Sequence, residues 1–496
     1  MNKYKQFIGF AGASIFSVGY VTTMDYHKNQ YILSKESKKY TYNQIEKHNN
    51  KNNGIWVIYH NNVYDITDYI ESHPGGKDKI MLAAGKGLEP YWNIYKQHLN
   101  NKDIVNQLLE PMKIGTIEDY DPNKCANITD PYINEPIRTG DLEFHSITPC
   151  NAETPINQIS DNWITPNDLW YIRNHHPVPS IDEKDYRLEI VNIDNTTTPL
   201  SLNIIQKSLT KKIIATIQCG GNRRNEFNLI EKTSGLPWGK GAISNAEWEG
   251  ISLGNVLFFC GLKQEDVISG KVKHVHFEGY DGVIASIPIK KALDPLGDVI
   301  IAYKMNGEDL PKDHGFPLRV IVPGHVGIRN IKWLKSIKLS DKEADGVWQS
   351  GLSYKILPNY IKSTDLTNLD IEKYYSIQEM PVQSCILESK IKEDNPDKLI
   401  VNGFAWSGGG RGIIRVDVSM DNGNNWQMAH LKEGKEQPFN QCWAWTFWEI
   451  EMDNTNKNVK LCCKATDSSN NTQFNNKNEI WNIRGLNNNS WDYSNQ

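Results

Sequence analysis

Hydrophobic and polar positions along the chain change places over short distances, and the pattern predicts strands and hairpins in three separate stretches. Trp56-Val57-Ile58-Tyr59 and Val63-Tyr64-Asp65-Ile66 are β-type runs on either side of His60-Asn61-Asn62, the spacing of a hairpin. Ile213-Ile214-Ala215 begins an apolar run that leads into a Gly- and Arg-containing segment, as a buried strand emptying into a loop does. Ile414-Arg415-Val416-Asp417-Val418-Ser419-Met420 alternates at period two, Asp421-Asn422-Gly423 supplies a turn, and Trp426 to Leu431 resumes the strand. Alternation returns more weakly from Val459 to Ala465, and these short strands predict an immunoglobulin-like β-sandwich of roughly 100 residues. At the other end, Gln6 to Met24 carries no charge and follows Lys3 and Lys5. A spanning helix needs about 20 mostly apolar residues. This run spends several positions on Gly, Ser and Thr, so it reads as a cleaved or loosely anchored targeting segment.

Length and composition narrow the picture. At 496 residues the chain exceeds one hydrophobic core and predicts several domains. A hydrophobic share of 39% with 23% charged residues describes ordinary globular material, and a net charge of −5 gives no general attraction to nucleic acid or anionic lipid. The cysteines, at 125, 150, 219, 260, 385, 442, 462 and 463, show no C-x-x-C and no paired spacing, which excludes a disulfide scaffold and a zinc-finger pattern. Five segments follow: a targeting or anchor segment over 1–34, a compact unit over 35–118, an acidic Pro-containing linker over 119–161, a mixed α/β domain over 162–367, and the sandwich over 368–496. The linker assignment rests on nine carboxylates from Glu118 to Asp161 against Lys124 and Arg138, with five prolines. Trp443, Trp445 and Trp448 are candidates either for a homodimer surface or for the sandwich core.

Candidate chemistry concentrates in two places. His73 lies in Asp68-Tyr69-Ile70-Glu71-Ser72-His73-Pro74-Gly75-Gly76, and His98 follows 25 positions later behind the aromatic stretch Tyr91 to Tyr95. Two histidines on opposing helical hairpins can clamp a haem iron from both faces, which fills its axial positions and favours electron transfer over O₂ binding. The glycine pair lets the backbone approach the flat macrocycle. With the hairpin upstream, this segment resembles cytochrome b5. The second place is Ile217-Gln218-Cys219-Gly220-Gly221-Asn222-Arg223-Arg224-Asn225-Glu226, one thiol beside two glycines and two guanidinium groups. A thiolate there suits a metal, and the alternative is a strand-end cysteine packed as a small hydrophobe. His175 and His176 sit in a Pro-stiffened loop and are read as binding a cofactor's polar groups rather than a metal. Gly, His, Arg and Lys recur at predicted strand ends through Leu236–Trp248, His276–Asp281 and Asp313–Trp333, as the pocket of a large phosphate-bearing cofactor requires.

Tyr171-Ile172-Arg173-Asn174-His175, Cys219 to Arg224, Asp313-His314-Gly315-Phe316-Pro317-Leu318-Arg319-Val320 and Ile480-Trp481-Asn482-Ile483-Arg484-Gly485, in this order behind a b5-type segment, make the chain from about residue 35 resemble the animal-type sulfite oxidases. The resemblance implies a multidomain α+β protein: a small cytochrome b5-like haem domain, a mixed α/β molybdenum cofactor domain and an immunoglobulin-like dimerisation domain. It implies oxidation of sulfite to sulfate at molybdenum held by molybdopterin and by Cys219, with electrons passing singly through haem b to cytochrome c. It places Arg173, Arg224, Trp238, Tyr354 and Arg484 in the substrate pocket beside Cys219. It gives Tyr171, Ile172, Arg173, Asn174, His175, Asp281, His314, Arg319, Asn330, Ile331 and Lys332 to molybdopterin, and His73 and His98 to the haem iron. A homodimer and the mitochondrial intermembrane space are implied as well. The chain departs from the family's pattern at Gly220, where alanine is usual, and at Ser353-Tyr354-Lys355, which replaces Asp-Tyr-Lys with a one-residue shift. Two other readings share these features: a haem electron carrier on an inactive molybdenum scaffold, and a relative of eukaryotic nitrate reductase.

Overall fold

A computed structural model of the chain describes residues 37–70, 73, 80–94, 98, 102–121, 132–133, 135–362, 369–454 and 460–495. The targeting segment expected over 1–34, the Gly75-Gly76 pair and residues 122–131 of the acidic linker lie outside the described residues. Two units divide the chain, one within Met1–Ile133 and the other made of Asn134–Lys362 and Asp370–Gln496.

In the first unit the expected hairpin forms between Gly54–Tyr59 and Asn62–Asp65, with Tyr59 opposite Asn62. Only His60 and Asn61 are left for the turn, and His60 takes φ +51°. These strands are the centre of a five-stranded sheet in the order Lys39–Tyr40, Lys113–Ile117, Asn62–Asp65, Gly54–Tyr59, Asn49–Asn50. Ile55, Val57 and Tyr64 on one face pack with Ile66, Ile70, Leu88, Trp92 and Leu109. Successive side chains on a strand point to opposite faces, so Ile58 and Val63 close a second small core with Ile45 and Ile117.

The second unit begins inside the range read as linker. Glu143–Ser146 and Asn151–Glu153 pair antiparallel and continue onto Ile172–Arg173. The segment from Glu135 onward is thus built into this unit despite its acidity, because charged groups of it meet partners there: Glu135 pairs with Arg138, Arg138 with Asp313, and Glu153 with His145. The cofactor-type fold then uses two five-stranded sheets. One runs Thr197–Ser201, Arg187–Val191, Leu334–Ser340, His274–Gly279, Ile284–Pro288, with one parallel pair between Arg187–Val191 and Leu334–Ser340. The other is built on Thr210–Gln218, Ile243–Ser252 and Ile300–Met305, with Glu308–Asp309 and Arg319–Ile321 both pairing with the last.

Two four-stranded sheets form the C-terminal sandwich: Gln383–Lys392, Asn395–Trp406, Thr446–Asp453, His430–Leu431, and Gln427–Met428, Ile413–Ser419, Lys460–Asp467, Asp492–Asn495. The run Trp426–Leu431, expected as one strand, divides between them. Gln427–Met428 pairs with Ile413–Ser419, and His430–Leu431 crosses to Thr446–Asp453. Trp443, Trp445 and Trp448 are at most 4% exposed. They are interior residues. The Thr216 amide donates to the Trp443 carbonyl at 3.0 Å, and the Trp445 amide donates to the Thr216 hydroxyl at 2.8 Å, so two of them fasten the sandwich to the strand that leads to Cys219.

Leu461 is fully buried between the sandwich sheets with Val401, Val416 and Trp448. Leu461→Ala is expected to lower stability by about 2–5 kcal/mol, the usual range for a buried leucine cut back to alanine, and chemical denaturation of the second unit measures it.

Candidate active site

In the first unit the rings of His73 and His98 stand 5.9 Å apart, centre to centre, with planes 6° from parallel. A metal–imidazole bond is about 2 Å, so two rings holding one iron from opposite sides stand roughly 6 Å apart; the pair fits a doubly ligated haem. Trp92 lies parallel to His98 at 5.3 Å, and Tyr69 meets His73 edge-on at 5.9 Å. Aromatic neighbours of this kind restrict ring rotation and hold both imidazoles in register.

In the second unit Cys219 follows directly on the strand Thr210–Gln218, whose last residue pairs with Ile243. The cysteine amide continues the ladder by donating to the Ala242 carbonyl at 3.0 Å. Its sulfur, 6% exposed by residue, accepts the Gly221 amide at 3.4 Å. A backbone donor on sulfur orients it, as a ligand to a soft metal requires. A Cβ at Gly220 would stand 3.1 Å from a Val326 methyl, so alanine here needs that methyl to give way.

A cleft opens beside Cys219, and such concave sites, with a few convergent polar groups on the wall, are where cofactors bind. Tyr171, Arg173 and His175 line it while Ile172 and Asn174 do not. That is strand alternation: Ile172 packs with Leu142, Cys150 and Ala152, and Asn174 donates to Asp313 and accepts from Lys332. Asp281, His314, Arg319, Asn330, Ile331, Lys332 and Tyr354 complete the wall. Arg224, Trp238 and Arg484 stand behind it. Arg224 lies within electrostatic reach of Cys219, Arg484, Tyr354 and Arg173, and Trp238 is fully buried in the apolar cluster that contains Cys219.

The arginines separate by partner. Arg223, at φ +61°, is buried against Glu226 and Asp492 and ties the loop to the C-terminal strand. Arg224 donates instead to the carbonyls of Leu236, Arg484 and Gly485. Cβ atoms at Gly221, Gly235 or Gly485 would come within 2.5–2.7 Å of its side chain, so three glycines form the slot it occupies. Arg319 donates to the carbonyls of His314 and Asn330, Lys332 to that of Asp313, Arg173 to that of Asn174, and Arg484 to the Ser234 hydroxyl.

Burial lowers four of the cations, Arg224, Arg319, Lys332 and Arg484. Desolvation brings Arg224 and Arg319 to about 10 and Lys332 to about 7, Arg319 adding its repulsion to Lys332 against the pull of Asp313. Arg484 is lowered by the same cause. His314, donating through Nε2 to the Asn167 carbonyl at 3.1 Å, falls to about 3 and stays neutral. Burial raises Tyr354, which keeps its phenolic proton. The Nε atoms of Arg319 and Arg484 are buried without a hydrogen-bond partner. Unspent donors on desolvated cations are what an anionic cofactor and an oxyanion substrate fill, so the residues fit molybdopterin and the thiolate fits molybdenum.

Sequence reasoning missed Glu153. It is 4% exposed, accepts the Gly239 and Gly241 amides at 3.0 and 3.1 Å and the His145 ring at 2.9 Å, and so shapes the Trp238–Gly241 loop. That loop accepts the Arg223 and Asn225 amides through its carbonyls at Gly239 and Trp238. One acid in an otherwise acidic stretch carried no signal of this.

A molybdopterin oxidoreductase with an attached b5-like haem module is the class that this fold and site define, and comparison with known proteins agrees. Residues 41–118 match the cytochrome b5-like heme/steroid binding domain, 175–348 the oxidoreductase molybdopterin binding domain, and 374–495 the Mo-co oxidoreductase dimerisation domain. Mitochondrial sulfite oxidase of Rattus norvegicus is 40% identical over 486 residues, covering 96% of this chain and 87% of the relative. That of Drosophila melanogaster is 42% identical over 472 residues, covering 91% and 79%. The sulfane dehydrogenase SoxCD from Paracoccus pantotrophus shares the fold, with TM-score 0.59 and 24% identity over 75% of this chain and 95% of that one. The chain belongs to the sulfite oxidase family. It is a mitochondrial molybdenum oxidoreductase with molybdopterin and haem as cofactors, and its C-terminal domain is the family's dimerisation domain.

Lys332 gives the pocket a pH signature. With its pKa at about 7, it gains charge as pH falls from about 8 to 6, while Arg224 and Arg319 stay charged throughout. Sulfate binding to the cofactor-free protein is therefore expected to tighten as pH falls through this window and to level off below it. Calorimetric titration at several pH values checks this, and Lys332→Met is to flatten the profile.

Proposed function

We propose that the protein oxidises sulfite to sulfate at the Cys219 pocket and delivers the electrons, one at a time, through its haem to cytochrome c. The observation that carries the reading is the set of buried and half-buried cations around Cys219 with donors on neutral acceptors, Arg173, Arg224, Arg319, Lys332 and Arg484. Sulfite is a small oxyanion, and guanidinium forks meet such oxygens with paired, charge-assisted hydrogen bonds.

When bound, the molybdenum cofactor supplies the two-electron oxidation in which an oxygen from water joins sulfite, and the haem supplies single-electron transfer. Cys219 holds the metal through its sulfur. Tyr171, His175, Asp281, His314, Arg319, Asn330, Ile331 and Lys332 hold the pterin and its phosphate, with Asn174 fixing the Lys332 ammonium and Ile172 the strand. Arg173, Arg224 and Arg484 bind the substrate anion, and Tyr354, a neutral phenol, donates to it. Trp238 excludes water beneath the thiolate. No side chain has to act as a strong base, because sulfite carries its own lone pair to the reaction. His73 and His98 would hold the haem iron between their rings, and a haem held by two histidines would supply electron transfer rather than substrate binding.

The working domains are 35–118 for haem, 162–367 together with the segment from Glu135 for the molybdenum cofactor, and 368–496 for dimerisation, with the chain acting in the intermembrane space. Its relatives' mitochondrial location and the family's electron acceptor support that reading.

Replacement of Cys219 by Ser is expected to reduce sulfite-dependent cytochrome c reduction by at least about a thousandfold, with an unchanged haem spectrum. Activity close to that of the unaltered enzyme would overturn the assignment of the thiolate. Protein that carries haem but takes up no molybdenum in a competent host would instead favour an electron carrier on an inactive scaffold.

A further inference from the structure

We infer that Arg138 is a positioning residue of the molybdopterin pocket: its guanidinium fork on Asp313 fixes the short turn whose carbonyls hold the pocket cations Lys332 and Arg319. The inference rests on the pocket's reading as the molybdopterin site.

Arg138 lies in sequence just after the segment that joins the two units, in a stretch whose composition suggests solvated linker. Its side chain is nonetheless almost buried, 10% exposed, against an Asp313 side chain at 8%. Nε donates to one Asp313 oxygen at 2.8 Å and Nη2 to the other at 2.8 Å, the two-pronged geometry that fixes a carboxylate in orientation as well as position. Glu135 pairs with the same guanidinium and also accepts the Val178 amide at 2.8 Å, so the fork is anchored from behind.

Asp313 is the middle residue of the 3₁₀ turn Lys312–His314. Its carboxylate also accepts the Asn174 amide group at 2.9 Å, and Asn174 in turn accepts from Lys332. Its backbone carbonyl accepts Lys332 Nζ at 2.8 Å, and the next carbonyl, of His314, accepts Arg319 at 2.9 Å. Burial by itself would raise the Asp313 carboxyl; the two bonds and the charge of Arg138 outweigh burial and keep it below its ordinary value, so it stays an acceptor. Loss of Arg138 leaves a buried carboxylate without its hydrogen-bonded charge partner and with Lys332 as the nearest remaining cation, which reorganises the turn or draws Lys332 away from the cavity. Both outcomes reach the cofactor through residues that Arg138 does not itself bring into the cavity.

The test uses the full chain produced in a host that makes molybdopterin, with molybdopterin content measured per haem and the rate of cofactor loss followed after purification. Arg138→Gln is expected to lose molybdopterin roughly tenfold faster than the unaltered chain, the low end of what outer-sphere partners of a metal site usually cost. Arg138→Lys, which keeps the charge but gives up the fork, is expected to fall between them, and it carries the test if Arg138→Gln does not fold. The double variant R138Q/D313N, which removes the stranded charge, is expected to hold its cofactor better than R138Q alone. Retention in R138K equal to that of the unaltered chain would overturn the inference. So would a double variant as leaky as the product of the two single changes, because Arg138 would then act through the fold of its own segment. An unaltered chain that takes up haem but no molybdopterin would sink the reading of the pocket and this inference with it.

Discussion

Holding several cations out of water without neutralising them is the constraint on which the rest of the second unit depends. Desolvation of an ammonium or guanidinium is costly, and proteins usually offset it with a carboxylate. Here the offset comes from backbone carbonyls and neutral side chains: Leu236, Arg484 and Gly485 for Arg224, His314 and Asn330 for Arg319, Asp313 for Lys332. A carbonyl satisfies the donors but leaves the net charge in place, so the positive potential survives for an anion. Two arginines that hold structure have carboxylates instead: Glu226 and Asp492 for Arg223, Asp313 and Glu135 for Arg138. The nature of the partner therefore separates the neighbours Arg223 and Arg224.

Carbonyl acceptors demand backbone in fixed, irregular positions, and the glycines follow from that demand. Gly485 lies at φ +57° and Gly235 at φ +128°, conformations that other residues adopt at a cost. Each leaves the space that Arg224 fills. The loop carrying Gly239 and Gly241 is fixed in turn by the two oxygens of Glu153. Acids are thus kept one layer back from the cleft, where they orient amides and arginines, while Asp281 stands in the wall itself. The sandwich takes part as well, because Asp492 on its last strand pairs with Arg223 and Lys240 and accepts the Ile386 amide at 2.8 Å. The sandwich and the residues that support the site share one set of buried bonds.

Much of this was legible from residue types alone. The haem hairpin, the paired histidines, and a strand that ends on Cys219 follow from local pattern, since each depends on neighbours in sequence. Tyr354, the last residue of the 3₁₀ turn Leu352–Tyr354, lines the cleft despite its shifted motif. What was not legible depends on distant partners. Nothing near Arg138 announces Asp313, 175 positions away, and an acidic, Pro-containing stretch looks solvated until its carboxylates are seen to meet partners. The Trp426–Leu431 run shows the same limit: periodicity predicts a strand but not that it changes sheets halfway. Tryptophans count as surface or core by composition alike, and only Thr216 and Asp298, which bind Trp443 and Trp445, settle them as interior.

The charge distribution then accounts for how an acidic protein takes an anionic substrate. A net charge of −5 spread over 496 residues acts through solvent, where salt screens it within about 8 Å at physiological ionic strength. The cations around Cys219 act across a desolvated cleft in which screening is weak and each charge counts for more. Long-range attraction is therefore not what draws sulfite in, and its binding is decided in the last few ångströms. The same argument assigns the neutral state of His314 a purpose. A further positive charge there would raise the cost of burying its neighbours Arg319 and Lys332, so the imidazole contributes a hydrogen-bonding surface to the pocket and leaves the charge to groups that can point it at the ligand.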